Sequence, residues 1–318
     1  MTRVAAIDCG TNSIRLLIAD LDGRGGMRDV VRERELVRLG EGVDRTGFFG
    51  DAALERTIAA TRSYAELIRE HGAERIRFVA TSATRDAANR AEFTDAIMAI
   101  LGVPAEVIPG TEEAALSFRG ALTALPRSDA NDSAARHLVI DLGGGSTELV
   151  LGATVPGSAY SMDVGCVRLT ERHVHNDPLL NSEIASIRSD VNAALDMAFR
   201  TVEVSASTEV IGVAGTVTTI TAHALGLTSY EPDVISGSRL PLVAVLEACD
   251  AFSRMTRAER AALPYMHPGR VDVIGTGAVI WSTILKRVAD ATAGAGYPIE
   301  FVTTSEHDIL DGVALSLG

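Results

Sequence analysis

Excess positive charge is absent from this chain of 318 residues, whose formal net charge at pH 7 is −13. General nucleic-acid binding needs a basic surface, so the composition argues against that class of protein. A polyanionic substrate stays possible, because a local basic cleft can lie within an acidic surface. The hydrophobic fraction of 47% and the charged fraction of 22% are those of an ordinary soluble globular protein.

Closely spaced cysteines and long apolar runs are also missing, and we expect no leader segment. Cys9, Cys166 and Cys249 show neither a C-x-x-C motif nor the spacing of a metal site, so we expect reduced thiols. No apolar run approaches the roughly 18 residues that a membrane span needs. The N-terminus enters a strand-like run directly, which predicts no signal peptide. We therefore expect a cytoplasmic protein of one large or two medium domains.

The stretch His137–Gly152 reads HLVIDLGGGSTELVLG. Its glycine-rich middle joins two apolar runs. Two strand-like runs with such a link predict a β-hairpin. We expect its glycines to adopt positive φ and to let a ligand approach the backbone, and successive N–H groups in such a turn suit phosphate oxygens. Asp141 and Glu148 could reach a hard cation there. For one such turn alone, a plain hairpin with a solvated Asp is an equally good interpretation.

The same pattern occurs a second time at Val4–Asp20, which reads VAAIDCGTNSIRLLIAD. A shift of 133 positions aligns identical residues of the two copies: Asp8 with Asp141, Gly10 with Gly143, and Ser13 with Ser146. This spacing is too long for a solenoid period. The repeat therefore predicts two related lobes, each contributing one phosphate-binding hairpin to a shared cleft.

Five motifs resemble those of the exopolyphosphatase and guanosine pentaphosphate phosphohydrolase family, within the actin, sugar-kinase and chaperone ATPase superfamily. They lie in family order at Asp8–Leu16, Thr81–Asn89, Gly110–Ala114, Asp141–Glu148 and Gly212–Thr219. The resemblance implies an α/β fold of two actin-like (ribonuclease H-like) lobes around a central phosphate-binding cleft. It also implies the short two-domain form, in which no second catalytic site of the metal-phosphohydrolase type follows.

The clearest interdomain linker is the polar stretch Leu125–Arg136. It predicts an N-terminal lobe at 1–125 and a C-terminal lobe at 126–306. The resemblance implies that the last helix, at 307–318, packs back on the N-terminal lobe.

Hydrophobic periodicity predicts the elements that carry the other motifs. A strand at Arg75–Ala80 ends at Thr81, and a strand at Glu209–Val213 ends at a turn before a helix from Val217. A strand, glycine turn and helix start suit an anion, so we expect Gly215 and Thr216 to bind a distal phosphate.

The resemblance implies which residues carry the chemistry. Glu113 would activate the attacking water, although the residues alone favour Glu112 and Glu113 as acids that suit a helix N-terminus. Asp8, Asp141 and Glu148 would hold Mg²⁺, some of them through water, and Glu148 would also be catalytic. The two turns and nearby side chains would bind phosphate through Gly10, Thr11, Asn12, Ser13, Arg15, Arg85, Gly143, Gly144, Gly145, Ser146 and Thr147.

The sequence also gives expectations for three further residues, Arg168, His173 and His175. Arg168, in a segment that resembles the one after the second phosphate hairpin of the family, is expected to contact a phosphate. His173 and His175 could form a metal pair, but nothing nearby in the sequence completes a ligand set, so we favour a solvated loop. The alternation of side chains leaves the direction of Arg15 open, and Arg85 alone reads as a surface residue at a helix start.

The sequence therefore predicts a Mg²⁺-dependent exopolyphosphatase that removes the terminal phosphate of inorganic polyphosphate. Guanosine pentaphosphate hydrolysis, with a role in the stringent response, is the alternative, because the same chemistry serves both substrates. A kinase of the superfamily would need a true adenosine pocket, and a sensor of polyphosphate or guanosine tetraphosphate would show no turnover. The resemblance implies a homodimer, and we expect neither nucleic acid nor a membrane as partner.

Overall fold

The computed structural model describes residues 1–125 and 135–318. These residues form two compact units, one of residues 1–120 with 309–318 and the other of residues 121–308. The predicted boundaries, after 125 and after 306, lie within a few residues of these. Most of the predicted linker, residues 126–134, lies outside the described residues. In the described ranges every helix is too short or too polar to cross a bilayer.

The first unit is built on a mixed sheet with the strand order β3-β2-β1-β4-β5. Strand β1 pairs antiparallel with β2 and parallel with β4. Helices cover both faces of the sheet, so most residues of β1 and β2 are buried. Strands that are buried on both faces are apolar along most of their length. The strands are β1 (Thr2–Cys9), β2 (Ser13–Leu21), β3 (Met27–Leu36), β4 (Arg75–Ala80) and β5 (Ala105–Val107).

Alternate residues of β1 enter two different cores, as the two-residue period of a strand requires. Ala5 and Ile7 belong to a cluster with Tyr64 and Phe93. Val4 and Ala6 belong to a cluster on the other face, which includes the C-terminal helix. The helices of this unit are α1 (Val43–Thr46), α2 (Asp51–His71), α3 (Ser82–Asp86), α4 (Arg90–Leu101), α5 (Gly110–Ala121) and, at the end of the chain, α13 (Ile309–Leu315).

The second unit repeats this topology with the strand order β10-β11-β9-β6-β7-β8. Strand β6 pairs antiparallel with β7 and parallel with β9, as β1 pairs with β2 and β4. The repeat found in the sequence is therefore a repeat of fold, and the predicted class of two actin-like α/β lobes is confirmed. The strands are β6 (His137–Leu142), β7 (Thr147–Gly152), β8 (Pro156–Met162), β9 (Glu209–Val213), β10 (Arg239–Pro241) and β11 (Phe301–Thr304).

The core of the second unit is centred on the long helix that carries Trp281, which is fully buried. A Cβ atom at Gly212 would lie 2.7 Å from Trp281, so only glycine lets this helix approach β9 so closely. The helices are α6 (Cys166–His173), α7 (Asn181–Ala198), α8 (Ala214–Ala224), α9 (Pro232–Ile235), α10 (Leu242–Arg254), α11 (Arg257–Ala261) and α12 (Ile274–Gly294).

Two element boundaries lie at or near a residue other than glycine that has a positive φ, and one of them differs from its prediction. Strand β3 ends at Leu36, two residues before Arg38, whose φ is 49°. The helix after β9 begins at Ala214, three residues before Val217, and Ala214 itself has a φ of 72°. Sequence patterns do not indicate a positive φ at residues other than glycine, because those residues rarely adopt it.

Candidate active site

The two glycine turns have the same internal hydrogen bond. The N–H of Gly10 donates to the carbonyl of Ser13 at 3.0 Å, and the N–H of Gly143 donates to the carbonyl of Ser146 at 3.0 Å. The first N–H of each predicted phosphate-binding segment is therefore used within its turn. Gly143, Gly144 and Gly145 do not adopt positive φ, so that expectation for the second hairpin is wrong. Glycine at 143 instead makes room for the Ser146 carbonyl, which would lie 3.0 Å from a Cβ atom.

The carbonyl groups of the first turn are bonded to the loop after β3. Thr11 O accepts from the N–H of Gly40 at 2.8 Å, and Asn12 O accepts from the N–H of Arg38 at 3.0 Å. The left-handed conformation of Arg38 costs roughly 1–2 kcal/mol. A strained backbone conformation of this kind persists only where surrounding contacts hold it in place. Such conformations are frequent at functional sites.

The carbonyl groups of the second turn are bonded to the start of α6. Gly143 O accepts from the N–H of Cys166, and Gly144 O accepts from the N–H of Arg168 at 3.1 Å. Arg168 also donates from Nε to Gly145 O at 2.7 Å. Arg168 therefore supports the turn, and the phosphate contact expected of it stays a prediction.

Bonded carbonyls fix the direction of the N–H groups in both turns. In a trans peptide the N–H points away from the preceding carbonyl. The N–H groups of Gly144, Gly145 and Ser146 therefore point away from α6, and those of Asn12 and Ser13 point away from the loop after β3. Successive backbone N–H groups that are held in a fixed direction suit an anion.

The hairpins differ in the cross-strand pair next to the turn. Asp8 lies opposite Arg15, whereas Asp141 lies opposite Glu148. Arg15 donates to Asp8 Oδ2 from Nη2 at 2.6 Å and from Nε at 3.0 Å. Glu148 is buried, and its Oε1 accepts from the hydroxyl of Ser161 at 2.7 Å. Directly opposite residues of an antiparallel pair project from the same face of the sheet, so two carboxyl groups adjoin in the second hairpin and an ion pair forms in the first.

The second hairpin fits Mg²⁺ better than the first. Asp141 and Glu148 offer hard oxygen donors, and Mg²⁺ is commonly held by one or two carboxylates together with water and phosphate oxygens. Asp8 already carries a guanidinium on one oxygen. In the part of the chain that the structure describes, no cluster of three or more His, Cys, Asp or Glu side chains could enclose a metal on its own.

Glu113 lies in the first turn of α5 and is 7% exposed. Arg85 donates from Nη1 to Glu113 Oε2 at 2.6 Å and to the carbonyl of Ile108 at 3.0 Å. Burial raises the pKa of Glu113 above its ordinary value, Arg85 opposes that rise, and the charge of Asp8 adds to it. The hydroxyl of Thr81 also bonds the Glu113 carboxyl and lowers its pKa. A buried, oriented carboxyl with a raised pKa is typical of a general base.

Glu112 has a different environment. Its side chain is 42% exposed and pairs with Arg77 at 2.6 Å on the surface of the first unit. Glu112 therefore forms an ion pair at the surface, whereas the carboxyl of its neighbour Glu113 is buried. Arg85 is likewise not a surface arginine, since it holds Glu113.

The first turn of α8 adjoins a cation that sequence reasoning missed. Arg270 is 8% exposed, and a Cβ atom at Gly215 would lie 2.6 Å from its guanidinium. Its Nη1 donates to Thr219 Oγ1 at 2.7 Å, and the guanidinium carbon lies 5.7 Å from the centroid of the Tyr230 ring. A cation therefore adjoins Gly215 and Thr216, the residues predicted to bind a distal phosphate. The available signal was a lone arginine in the apolar segment before the start of α12.

The structure gives the environments of one predicted phosphate contact, of the two histidines and of the cysteines. Thr147 is fully buried, and its hydroxyl donates to the carbonyl of Val164 at 2.6 Å, so this hydroxyl is not positioned as the predicted phosphate contact. The solvated loop expected at His173 is wrong, because His173 ends α6 and its Nε2 bonds Asp190 at 2.8 Å. His175 is exposed. The cysteines that the structure describes are buried and free.

A comparison with protein families gives one match over most of the chain. The Ppx/GppA phosphatase family model matches residues 17–293. A relative from Mycobacterium tuberculosis, named exopolyphosphatase 2, is 50% identical over 325 residues, which span 100% of this chain and 99% of the relative.

Solved structures agree with this match. The structure of an exopolyphosphatase-like protein has a TM-score of 0.95 and 51% identity, covering 100% of this chain and 98% of its own. The Aquifex aeolicus member of the Ppx/GppA family has a TM-score of 0.78 and 26% identity, covering 99% of this chain and 97% of its own.

Proposed function

Because this chain belongs to the Ppx/GppA phosphatase family, we propose that it is an exopolyphosphatase, which hydrolyses the terminal phosphoanhydride bond of inorganic polyphosphate. The observation that carries the proposal is the buried Glu113, held by Arg85 and by the hydroxyl of Thr81. Keeping such a carboxyl ionised in a buried place is unfavourable, and functional sites are where unfavourable groups of this kind concentrate.

Glu113 would accept a proton from the attacking water. The water oxygen bonds the terminal phosphorus, the bridging P–O bond breaks, and the chain leaves one phosphate shorter. Arg85 keeps the acceptor oxygen in place, and its charge keeps the pKa of Glu113 from rising further, so that the carboxyl can be ionised when water binds. General base catalysis of this kind contributes roughly 10²–10⁴-fold to a rate.

Each glycine turn would bind phosphate oxygens through its own N–H groups. Their directions are fixed by bonded carbonyls, so they need little reorganisation when negative charge develops. Mg²⁺, when bound at Asp141 and Glu148, would neutralise phosphate charge. The shared cleft that the resemblance implies stays a prediction, as do the homodimer and the cytoplasmic location.

The first turn of α8 suits a substrate that carries more than one phosphate group. The guanidinium of Arg270 packs on Gly215 there, where a Cβ atom would lie 2.6 Å from it. A cation at this place suits a second phosphate group, which inorganic polyphosphate supplies and guanosine pentaphosphate also carries. Guanosine pentaphosphate is therefore the second candidate substrate.

The test is orthophosphate release by the purified protein given long polyphosphate, short polyphosphate, guanosine pentaphosphate, or ATP with a sugar acceptor. The proposal predicts release from polyphosphate with Mg²⁺ and loss of release in Glu113→Gln. Transfer of labelled phosphate to the sugar would support the kinase instead. Tight binding of polyphosphate without release would support a non-catalytic sensor.

A further inference from the structure

A serine on β8 extends the row of side chains that begins at Asp141. Asp141 on β6 lies opposite Glu148 on β7, and Glu148 in turn lies opposite Ser161 on β8. Directly opposite residues of antiparallel strands project from the same face of the sheet. The three side chains therefore lie side by side, with Glu148 between a carboxyl group and a hydroxyl group.

The contact between Ser161 and Glu148 is short and lies in a buried place. The hydroxyl of Ser161 donates to Glu148 Oε1 at 2.7 Å, and Glu148 is only 1% exposed. A hydrogen bond to an ionised carboxylate is stronger than one between neutral groups. Glutamate is also among the side chains that lose most rotamer freedom when they are ordered. A donor at this position therefore restricts the directions in which the Glu148 carboxylate can point.

The equivalent row of the first unit has a different third member. There Arg15 on β2 lies opposite Asp8 on β1 and opposite Arg34 on β3. An arginine at this third position brings a positive charge, whereas a serine hydroxyl donates a hydrogen bond and adds no charge. Ser161 can therefore hold the Glu148 carboxylate in place and leave the charge of the second hairpin unchanged.

We infer that Ser161 is a positioning residue for the proposed reaction, because its hydroxyl holds the carboxylate of Glu148 in one orientation. This inference rests on the proposed function, in which Glu148 serves the metal ion. Hydrogen-bond partners of metal-binding side chains fix the orientation of those side chains, and their loss typically weakens metal binding or activity roughly 10- to 100-fold. Ser161 acts through Glu148 and touches neither the substrate nor the ion, and it lies in none of the five sequence motifs.

The first test measures bound metal without any turnover. Mn²⁺ is titrated into the purified full chain and followed by electron paramagnetic resonance, which distinguishes free from bound ion. Ser161→Ala should weaken Mn²⁺ binding roughly 10- to 100-fold, and Ser161→Thr, which keeps a hydroxyl and suits a strand, should restore most of it. The matched control is Ser158→Ala on the same strand, since Ser158 lies opposite Leu151 of the core on the other face. Parental binding in Ser161→Ala, or equal loss in Ser161→Thr, would overturn the inference.

The second test uses phosphate release from polyphosphate. Ser161→Ala should raise the Mg²⁺ concentration for half-maximal rate roughly 10- to 100-fold, while KM for polyphosphate at saturating Mg²⁺ stays near the parental value. Thermal melts in EDTA distinguish this effect from a purely structural one, because a lowered melting temperature with a parental Mg²⁺ requirement would overturn the inference. Phosphate release by a parent that binds no Mn²⁺ would keep the proposed function and overturn the inference. If the parent binds Mn²⁺ but releases no phosphate, the proposed function fails, and the Mn²⁺ titration still decides the role of Ser161.

Discussion

Replacing Glu113 with glutamine separates the two roles that a glutamate in a first helical turn can have. Glutamine keeps the shape of the side chain and an oxygen that accepts from Arg85, but it cannot take a proton from water. Losing a general base slows the reaction roughly 10²–10⁴-fold, which raises the barrier by about 2.7–5.4 kcal/mol at 1.36 kcal/mol for each tenfold. We therefore expect phosphate release to fall at least a hundred-fold, the low end of that range.

The free energy of unfolding should change little in Glu113→Gln. The folded-state pKa of Glu113 is raised, so the ionised carboxyl lowers stability progressively as pH rises from its ordinary pKa through the folded value, and glutamine removes this penalty. Against this gain, the ion pair with Arg85 becomes a weaker neutral hydrogen bond, and Arg85 is 23% exposed, so solvent screens part of that loss. We expect melting within a few degrees of the parent and unchanged binding of polyphosphate.

Glu112→Gln is the matched control for this experiment. Its side chain is 42% exposed, so losing the pair with Arg77 should cost about 0.2–1 kcal/mol of stability and leave the rate near normal. Initial rates of orthophosphate release and thermal melts of both variants check the pair. Parental turnover in Glu113→Gln with loss in Glu112→Gln would mean that the wrong glutamate has been chosen. If neither change matters, another group activates the water.

Three further predictions follow from the same geometry. In the pH profile of kcat/KM, activity should fall on the acidic side at a pH above the ordinary Glu pKa, because the pKa of Glu113 is raised and its protonation stops catalysis. Arg85→Met should move this fall to higher pH, since Arg85 lowers the pKa of Glu113, and an unchanged profile would argue against this coupling. EDTA should abolish phosphate release, and Asp141→Asn or Glu148→Gln should lose turnover that excess Mg²⁺ only partly restores; full activity of these variants in EDTA would exclude the metal site. Gly165→Ala should slow turnover roughly 10²-fold, because the Cβ atom of the new alanine would lie 2.2 Å from the Gly144 carbonyl oxygen and displace the second turn. The control Gly294→Ala, whose Cβ atom would meet nothing within 4 Å, should keep the parental rate, and equal rates of the two variants would show that the second turn tolerates displacement.

The sequence predicts the fold well because its signals are local and repeated. Continuous apolar runs locate β1 and β6, and the repeat of Asp-x-Gly indicates that they are equivalent. The direction of Arg15 could also have been predicted, because a hairpin with a turn at Gly10–Ser13 places residues 8 and 15 opposite each other.

The parts that the sequence could not predict depend on contacts between distant residues. Arg85 and Glu113 are 28 positions apart, and no periodicity indicates that one holds the other. Arg38 combines a positive φ with a hydrogen bond from its N–H to the carbonyl of Asn12, and arginine has no intrinsic preference that indicates such a φ. Arg270 adjoins Gly215 only because the packing of the second unit brings the two together.

The most direct test of the account is the fate of water oxygen in the reaction. Polyphosphate is incubated with the purified protein and Mg²⁺ in ¹⁸O-labelled water, and the products are followed by ³¹P NMR and mass spectrometry. The account predicts that orthophosphate appears from the start, that each molecule carries one ¹⁸O atom, and that Glu113→Gln releases it at least a hundred-fold more slowly. Orthophosphate without label, fragments cut from the middle of the chain, or parental release by Glu113→Gln would contradict it.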